Sequence, residues 1–294
     1  MIAPVQALLG RAIDYAGMFP PAGLPLAEAL DRYLRYRDSP DAWALGRFVL
    51  PAAQLDSLRA ARSRHAADPE RPVPLAVLIG PAIPDDLRRI EAFEASRFAH
   101  AKIESVEIRA GEAALAPVLG TVPSRWTRYV EIPLEGTGEL ALDAVASAGG
   151  FAKVRTGGTT AAGFPSAENL SRFLVAAAAR GLAFKATAGL HHALRGSYRL
   201  GDEPDASSTV MFGYLNLALA AAMARRFADP VPVQAALRET DAASLHWEAR
   251  AFTWRSHRFD PEALFLLRRE FFHGFGSCSF REPLDELATL IGPQ

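Results

Sequence analysis

The chain has 294 residues, half of them hydrophobic, enough apolar material to bury a large core as one barrel-sized domain or two smaller ones. Its 32 Lys and Arg against 33 Asp and Glu leave a formal charge of −1 and no field to draw nucleic acid or an anionic membrane, so the expected partner is a small molecule. One cysteine, Cys278, excludes an intramolecular disulfide framework and a thiolate-cluster metal site.

The first stretch, MIAPVQALLGRAIDYAG, has neither the basic start nor the long apolar run of a signal peptide, and a cytoplasmic protein is the simplest expectation. Within it RAIDYAG reads as a short strand with Asp14 near its end. A proline-rich turn, MFPPAG, follows, and Leu30, Tyr33 and Leu34 then mark an amphipathic helix. GRFVLPA is a second strand, with helical spacing after it through Leu55, Leu58 and Arg62. PLAVLIG is a third, a nearly continuous apolar run of the kind parallel sheets bury on both faces. Asp85, Leu87 and Ile90 open its helix. AKIESVEIR, RYVEIPL, FAKVRT and AFKATAG supply strands four to seven, and FFHGFGSCSF an eighth before a closing helix, PLDELATL.

Eight strand–helix alternations predict an α/β fold, a (β/α)8 TIM barrel forming one domain over 1–294, because an open doubly wound sheet seldom uses so many parallel strands. The region from about 191 to 270 is too long for one crossover. It is expected to be a helical insertion between strands seven and eight, serving as a cap or a homo-oligomer contact. It holds an acidic loop, GDEPDASS, and a group of packing aromatics at Trp247, Phe252, Trp254 and Phe259. Its apolar run VMFGYLNLALAAAMA (210–224) is shorter than the roughly 20 residues of a membrane span and contains Asn216, so it predicts a buried helix and no membrane partner.

The stretch FAKVRTGGTTAAGFPSAENLSRFLVAAAARGLAFKATAGL is where chemistry concentrates. Leu170, Phe173, Leu174 and Ala177 recur at helical spacing between Pro165-Ser166 and Arg180-Gly181, which makes this a βαβ crossover with parallel strands. Alternation puts Lys153 and Arg155 on one face of the first strand and Lys185 and Thr187 on one face of the second. A lysine amid apolar strand residues needs a partner, since a buried unpaired ammonium is strongly disfavoured. Two such lysines, with Asp14, Glu104, Glu107 and Glu131 also near strand ends, predict a site at the C-terminal mouth of the barrel. For any one strand charge the competing reading is a structural ion pair.

A lysine near its reference pKa of about 10.4 is protonated at neutral pH and cannot attack a carbonyl. A neighbouring cation such as Lys185 or Arg155, and partial burial, would favour the neutral amine of Lys153, and Glu104, Glu107 or Glu131 would move protons. Thr156-Gly157-Gly158 and Gly276-Ser277-Cys278-Ser279 offer backbone N–H groups and hydroxyls to a phosphate, or else simply shape βα turns. Adjacent histidines point apart on a strand, so of His191 and His192 one could join Glu107 or Glu131 at a metal or in acid–base work, the equal alternative being a helix-capping or loop role. Cys278 reads as a small buried residue, and no metal is expected.

K-x-x-T-G, as Lys153, Thr156 and Gly157, followed one βα unit later by Lys185-Ala186 and Gly189 and then by the Gly-Ser-x-Ser turn Gly276–Ser279, resembles deoxyribose-phosphate aldolase and related class I aldolases. The resemblance is carried by 151–190, with weaker support at 101–111 and 276–279. It implies a TIM barrel that forms a Schiff base with a small carbonyl substrate, phosphorylated or not, without a cofactor. Lys153 matches the nucleophile, Lys185 the second lysine that lowers its pKa, and Glu104 falls where the family has a proton-relaying aspartate. Arg155, Thr156, Gly157, Gly158, Thr187, Gly189, His191, Gly276, Ser277 and Ser279 are then substrate-binding candidates. Two alternatives use the same residues. One is an anion clamp of Lys153, Arg155 and Lys185, as in a phosphoribosyltransferase-like or divalent-metal barrel enzyme. The other is a barrel that binds a metabolite without catalysis.

Overall fold

A computed structural model describes residues 2–62, 70–109, 115–134, 138–201 and 206–292. Seven strands alternate with helices in the order α1 (Ala3–Leu9), β1 (Ile13–Tyr15), α2 (Leu26–Arg37), β2 (Leu45–Pro51), α3 (Leu55–Arg62), β3 (Val73–Ile79), α4 (Ile83–Ala95), β4 (Ala101–Ile108), α5 (Leu115–Thr121), β5 (Thr127–Glu131), α6 (Gly138–Ser147), β6 (Phe151–Arg155), α7 (Ala167–Ala179) and β7 (Phe184–Thr187). The insertion follows, with a hairpin of β8 (Gly196–Arg199) and β9 (Ser208–Met211), helices α8 (Tyr214–Phe227) and α9 (Pro230–Leu237), and an antiparallel sheet of β10 (Leu245–Glu248), β11 (Ala251–Trp254) and β12 (His257–Phe259). After α10 (Pro261–Glu270), β13 (Phe272–Ser277) returns between β7 and β1 and closes an eight-stranded parallel barrel, and α11 (Arg281–Ile291) follows. The (β/α)8 fold is as the alternation predicted.

Period-two alternation sorts the barrel's two faces. In β6, Ala152 and Val154 are fully buried in the apolar core while Lys153 takes the other face. In β1, Tyr15 packs on Tyr36 of α2 (ring centroids 5.4 Å) while Asp14 turns inward. The βαβ unit forms as read: Ser166 Oγ accepts from Asn169 N at 3.1 Å, and Leu170, Phe173, Leu174 and Ala177 form the buried stripe of α7. Gly181, at φ +60, ends it in the left-handed region that glycine adopts without strain.

The insertion departs from the expectation of helices alone. Val210 and Met211, expected in the buried helix, belong to β9, and the helix itself starts at Tyr214. Its Asn216 is buried because it is fully used: Oδ1 accepts from the N–H groups of Arg195 and Gly213, and Nδ2 donates to the carbonyls of Ala236 and Glu239. The aromatics Trp247, Phe252, Trp254 and Phe259 pack in the three-stranded sheet, which touches α1 and contributes no residue to the mouth cavity; among the described residues of the insertion, His191, His192 and the β8–β9 hairpin reach it. Residues 202–205 of the acidic loop, and Gly111, lie outside the described residues. Among the described residues no helix is long and apolar enough to cross a membrane.

Candidate active site

A cavity of about 1530 Å³ opens at the C-terminal mouth. Its floor is a row of buried charges. Lys185 Nζ donates to Asp14 Oδ2 at 2.5 Å and to Glu107 Oε1 at 2.6 Å. Lys153 Nζ lies 2.9 Å from Glu107 Oε2 and 3.2 Å from Glu131 Oε2. One carboxylate, Glu107, thus bridges both lysines. Ladder pairing explains part of the convergence, because Glu131, Lys153 and Lys185 are register partners across β5, β6 and β7.

The row continues at both ends. Arg109 Nε stands 3.6 Å from Glu131 Oε1 at the mouth. On the far side the main-chain N–H of Arg47 donates to Asp14 Oδ1 at 2.7 Å, and its Nε to Glu104 Oε2 at 3.0 Å. Arg11 also holds Glu104, at 3.3 Å. Charge therefore alternates from Arg11 through Glu104, Arg47, Asp14, Lys185, Glu107, Lys153 and Glu131 to Arg109. Paired in this way the buried members Asp14, Lys185, Glu107 and Lys153 are tolerated in the interior, whereas removing one of them leaves an uncompensated ion, typically about 3–5 kcal/mol.

Glu104 is thereby displaced from the role the resemblance implies. The β3–β4 register shifts between Leu75 and Ala76, so β4 carries an extra residue at this point and its alternation changes phase. Glu104 pairs with Arg11 and Arg47 and does not line the cavity, while Glu107, three residues further along β4, lies between the lysines.

The two carboxylates that meet Lys153, Glu107 and Glu131, differ in their other partners. Burial by itself would raise the Glu107 pKa, but Lys153 and Lys185 bring it down from 4.5 to about 2, so it is a fixed anion. Burial would likewise lower the Lys185 pKa, yet Asp14 and Glu107 outweigh it and hold the ammonium above the ordinary lysine range. Lys185 is a fixed cation, separated from Lys153 by Glu107 rather than facing it bare. Glu131 lines the cavity, with Lys153 on one side and the exposed Arg109 on the other.

The glycine loops are built for packing. A Cβ on Gly157 would meet the Gly189 Cα at 2.7 Å and the Phe164 ring at 2.8 Å, so the loops after β6 and β7 touch only because both positions lack side chains. Thr156 is buried and donates to the Ala188 carbonyl at 2.6 Å, tying these loops together; it does not line the cavity. Gly157, Gly158, Thr187, Gly189 and Arg155 do line it. In the last-strand turn Ser277 is buried, its Oγ accepting from Ser279 N at 3.3 Å, and Ser279 Oγ accepts from Glu282 N at 3.2 Å at the start of α11. Gly276 and Ser279 face the cavity, with Glu282 and Glu286 beside them, each paired with a histidine of the β7 loop. The turn reads better as a helix start than as a phosphate cradle.

Compared with protein-family models, curated proteins and solved structures, the chain matches none.

Two arginines of the charge row carry a signal in the sequence as well. Arg47 and Arg109 are charges in or just beyond apolar strands, as Lys153 and Lys185 are. More telling, the chain has three lysines in all, Lys102, Lys153 and Lys185, and its other basic residues are arginine. Two of the three are the buried pair.

Proposed function

We propose that the protein is a Schiff-base lyase in which Lys153 condenses with a small aldehyde or ketone and so makes or breaks a neighbouring carbon–carbon bond. The observation that carries this reading is the contact of Lys153 with two carboxylates that line the cavity, Glu107 and Glu131, the first of them held as an anion between both lysines. Arginine supplies nearly all positive charge elsewhere in the chain, but it stays protonated and cannot form an imine. Lysine is retained where a titratable amine would serve.

Substrate entry expels water from the mouth, which favours the neutral form of an ion pair over the charged one. Lys153 gives a proton to Glu131 and becomes an amine. Its nitrogen attacks the carbonyl carbon and the π pair moves to oxygen. A proton passes from nitrogen to that oxygen, Glu131 donates the next one, and water leaves. The product is an iminium beside two carboxylates, with the same net charge as the starting ammonium and no charge created in the interior. Glu107 holds this cation throughout, and Lys185 and Asp14 hold Glu107. Glu131, again a carboxylate, takes the α-proton to give the enamine that forms or releases the carbon–carbon bond.

The anion-clamp alternative is weakened because both lysine ammoniums are already engaged by carboxylates. The same pairs occupy Glu107 and Glu131, the carboxylates of the divalent-metal version. The test is α-proton exchange. Small aldehydes and ketones incubated with the enzyme in D2O should exchange their α-protons, followed by NMR. Lys153→Arg should abolish exchange, and Glu131→Gln should slow it by ~100-fold or more. Full exchange in Lys153→Arg would overturn the proposal.

A further inference from the structure

The same cavity carries a second set of reactive groups on its β7–β13 side. Cys278, just beyond β13, places Sγ 3.7 Å from Nε2 and 3.8 Å from Nδ1 of His191, in the loop after β7. Nδ1 of His191 lies 3.1 Å from Glu282 Oε2 in the first turn of α11. All three residues line the cavity. Because Glu282 holds Nδ1, Nε2 is the nitrogen left to serve the sulfur, the order of nucleophile, base and orienting carboxylate that activates a thiol.

A purely structural reading fits the adjacent histidine better. Nδ1 of His192 is 2.5 Å from Glu286 Oε1, its ring stacks on Tyr198 at 3.4 Å, and Glu286 also accepts from Ala193 N at 2.7 Å. That pair pins the loop to α11, whereas His191 is turned to the only cysteine in the chain. Burial would lower the His191 pKa, but Cys278 and Glu282 bring it up to about 10, so the ring is a cation beside the sulfur at neutral pH.

We propose that Cys278 is a nucleophilic thiol, with His191 as its proton partner and Glu282 as the group that orients His191, and that it adds reversibly to an aldehyde held in the mouth. The sulfur forms a bond to the carbonyl carbon, the π pair moves to oxygen, and that oxygen takes the proton from Nε2 of His191. Neutral imidazole remains, held by Glu282. The reverse step restores thiolate, imidazolium and aldehyde, with no oxidant and no leaving group. This inference stands apart from the imine chemistry of Lys153.

Alkylation of the full chain by iodoacetamide, followed by intact mass, tests it. The titratable groups that face the sulfur are His191 from the β7 loop, Glu282 from α11 and Tyr15 from β1. Cys278, with His191 beside its sulfur, should react faster between about pH 6 and 8 than an ordinary thiol, whose pKa is about 8.5. His191→Asn should return its rate to the ordinary profile. Saturating acetaldehyde should slow alkylation equally in the wild type and in Lys153→Arg, which separates thiol addition from imine formation. A wild-type thiol that follows the ordinary profile, or does not react, overturns the proposal. So does aldehyde protection that disappears in Lys153→Arg.

Discussion

Replacing Glu107 by glutamine keeps the size and shape of the side chain and removes the negative charge that both buried lysines share. The magnitude follows from the carboxyl's displacement: a pKa held at about 2 against an ordinary 4.5, at about 1.4 kcal/mol per pH unit, corresponds to about 3 kcal/mol of stability near neutrality. This agrees with the range of about 3–5 kcal/mol for breaking a buried ion pair. The sign is fixed by the depressed value. Ionised Glu107 stabilises the fold above pH 4.5, and that contribution fades as pH falls towards about 2. Urea denaturation of wild type and Glu107→Gln in parallel should therefore show a gap of about 3 kcal/mol near pH 7 that shrinks to about 1 kcal/mol near pH 3. A gap that is absent, or that does not change with pH, would refute the view of Glu107 as the shared counter-ion.

Two further predictions concern the surroundings of Lys153. Lys185→Met removes the competing cation and leaves Glu107 to Lys153 alone, so imine formation should shift to higher pH while remaining possible there; an unshifted profile of exchange against pH would remove Lys185 from the site's electrostatics. Gly189→Ala places a Cβ 2.9 Å from the Gly157 Cα and the Phe164 ring at a residue with φ +71, and should cost about 1–3 kcal/mol in thermal or chemical denaturation. A neutral Gly189→Ala would show that the two loops do not need their close approach.

Much of the barrel was legible because each parallel strand is a short apolar run ended by glycine or proline and followed by a 3.6-residue stripe, signals that are local. The insertion was not, because β8 to β12 are three- or four-residue strands whose partners are each other, and so short a run carries no measurable period. Lys153, Lys185, Glu107 and Glu131 converge as the alternation of their strands suggests. The extra residue in β4 brings Glu104 to the same side as Glu107, where it is held by Arg11 and Arg47 short of the cavity, and a bulge depends on the neighbouring strand rather than on the local sequence. Thr156 and Ser277 have the composition of ligand-binding residues but are taken up by hydrogen bonds, Thr156 to the loop after β7 and Ser277 within its own turn, a distinction visible only once the loops are placed. The scarcity of lysine was legible throughout and bears directly on mechanism.

That scarcity makes the decisive measurement clean. Incubation with a panel of small aldehydes and ketones under borohydride, followed by peptide mass mapping, offers only three side-chain amines for reduction: Lys102, Lys153 and Lys185. The account predicts a single reduced adduct on Lys153, lost in Lys153→Arg. An adduct confined to Lys102 or Lys185, or no adduct with any carbonyl compound of the panel, would contradict it.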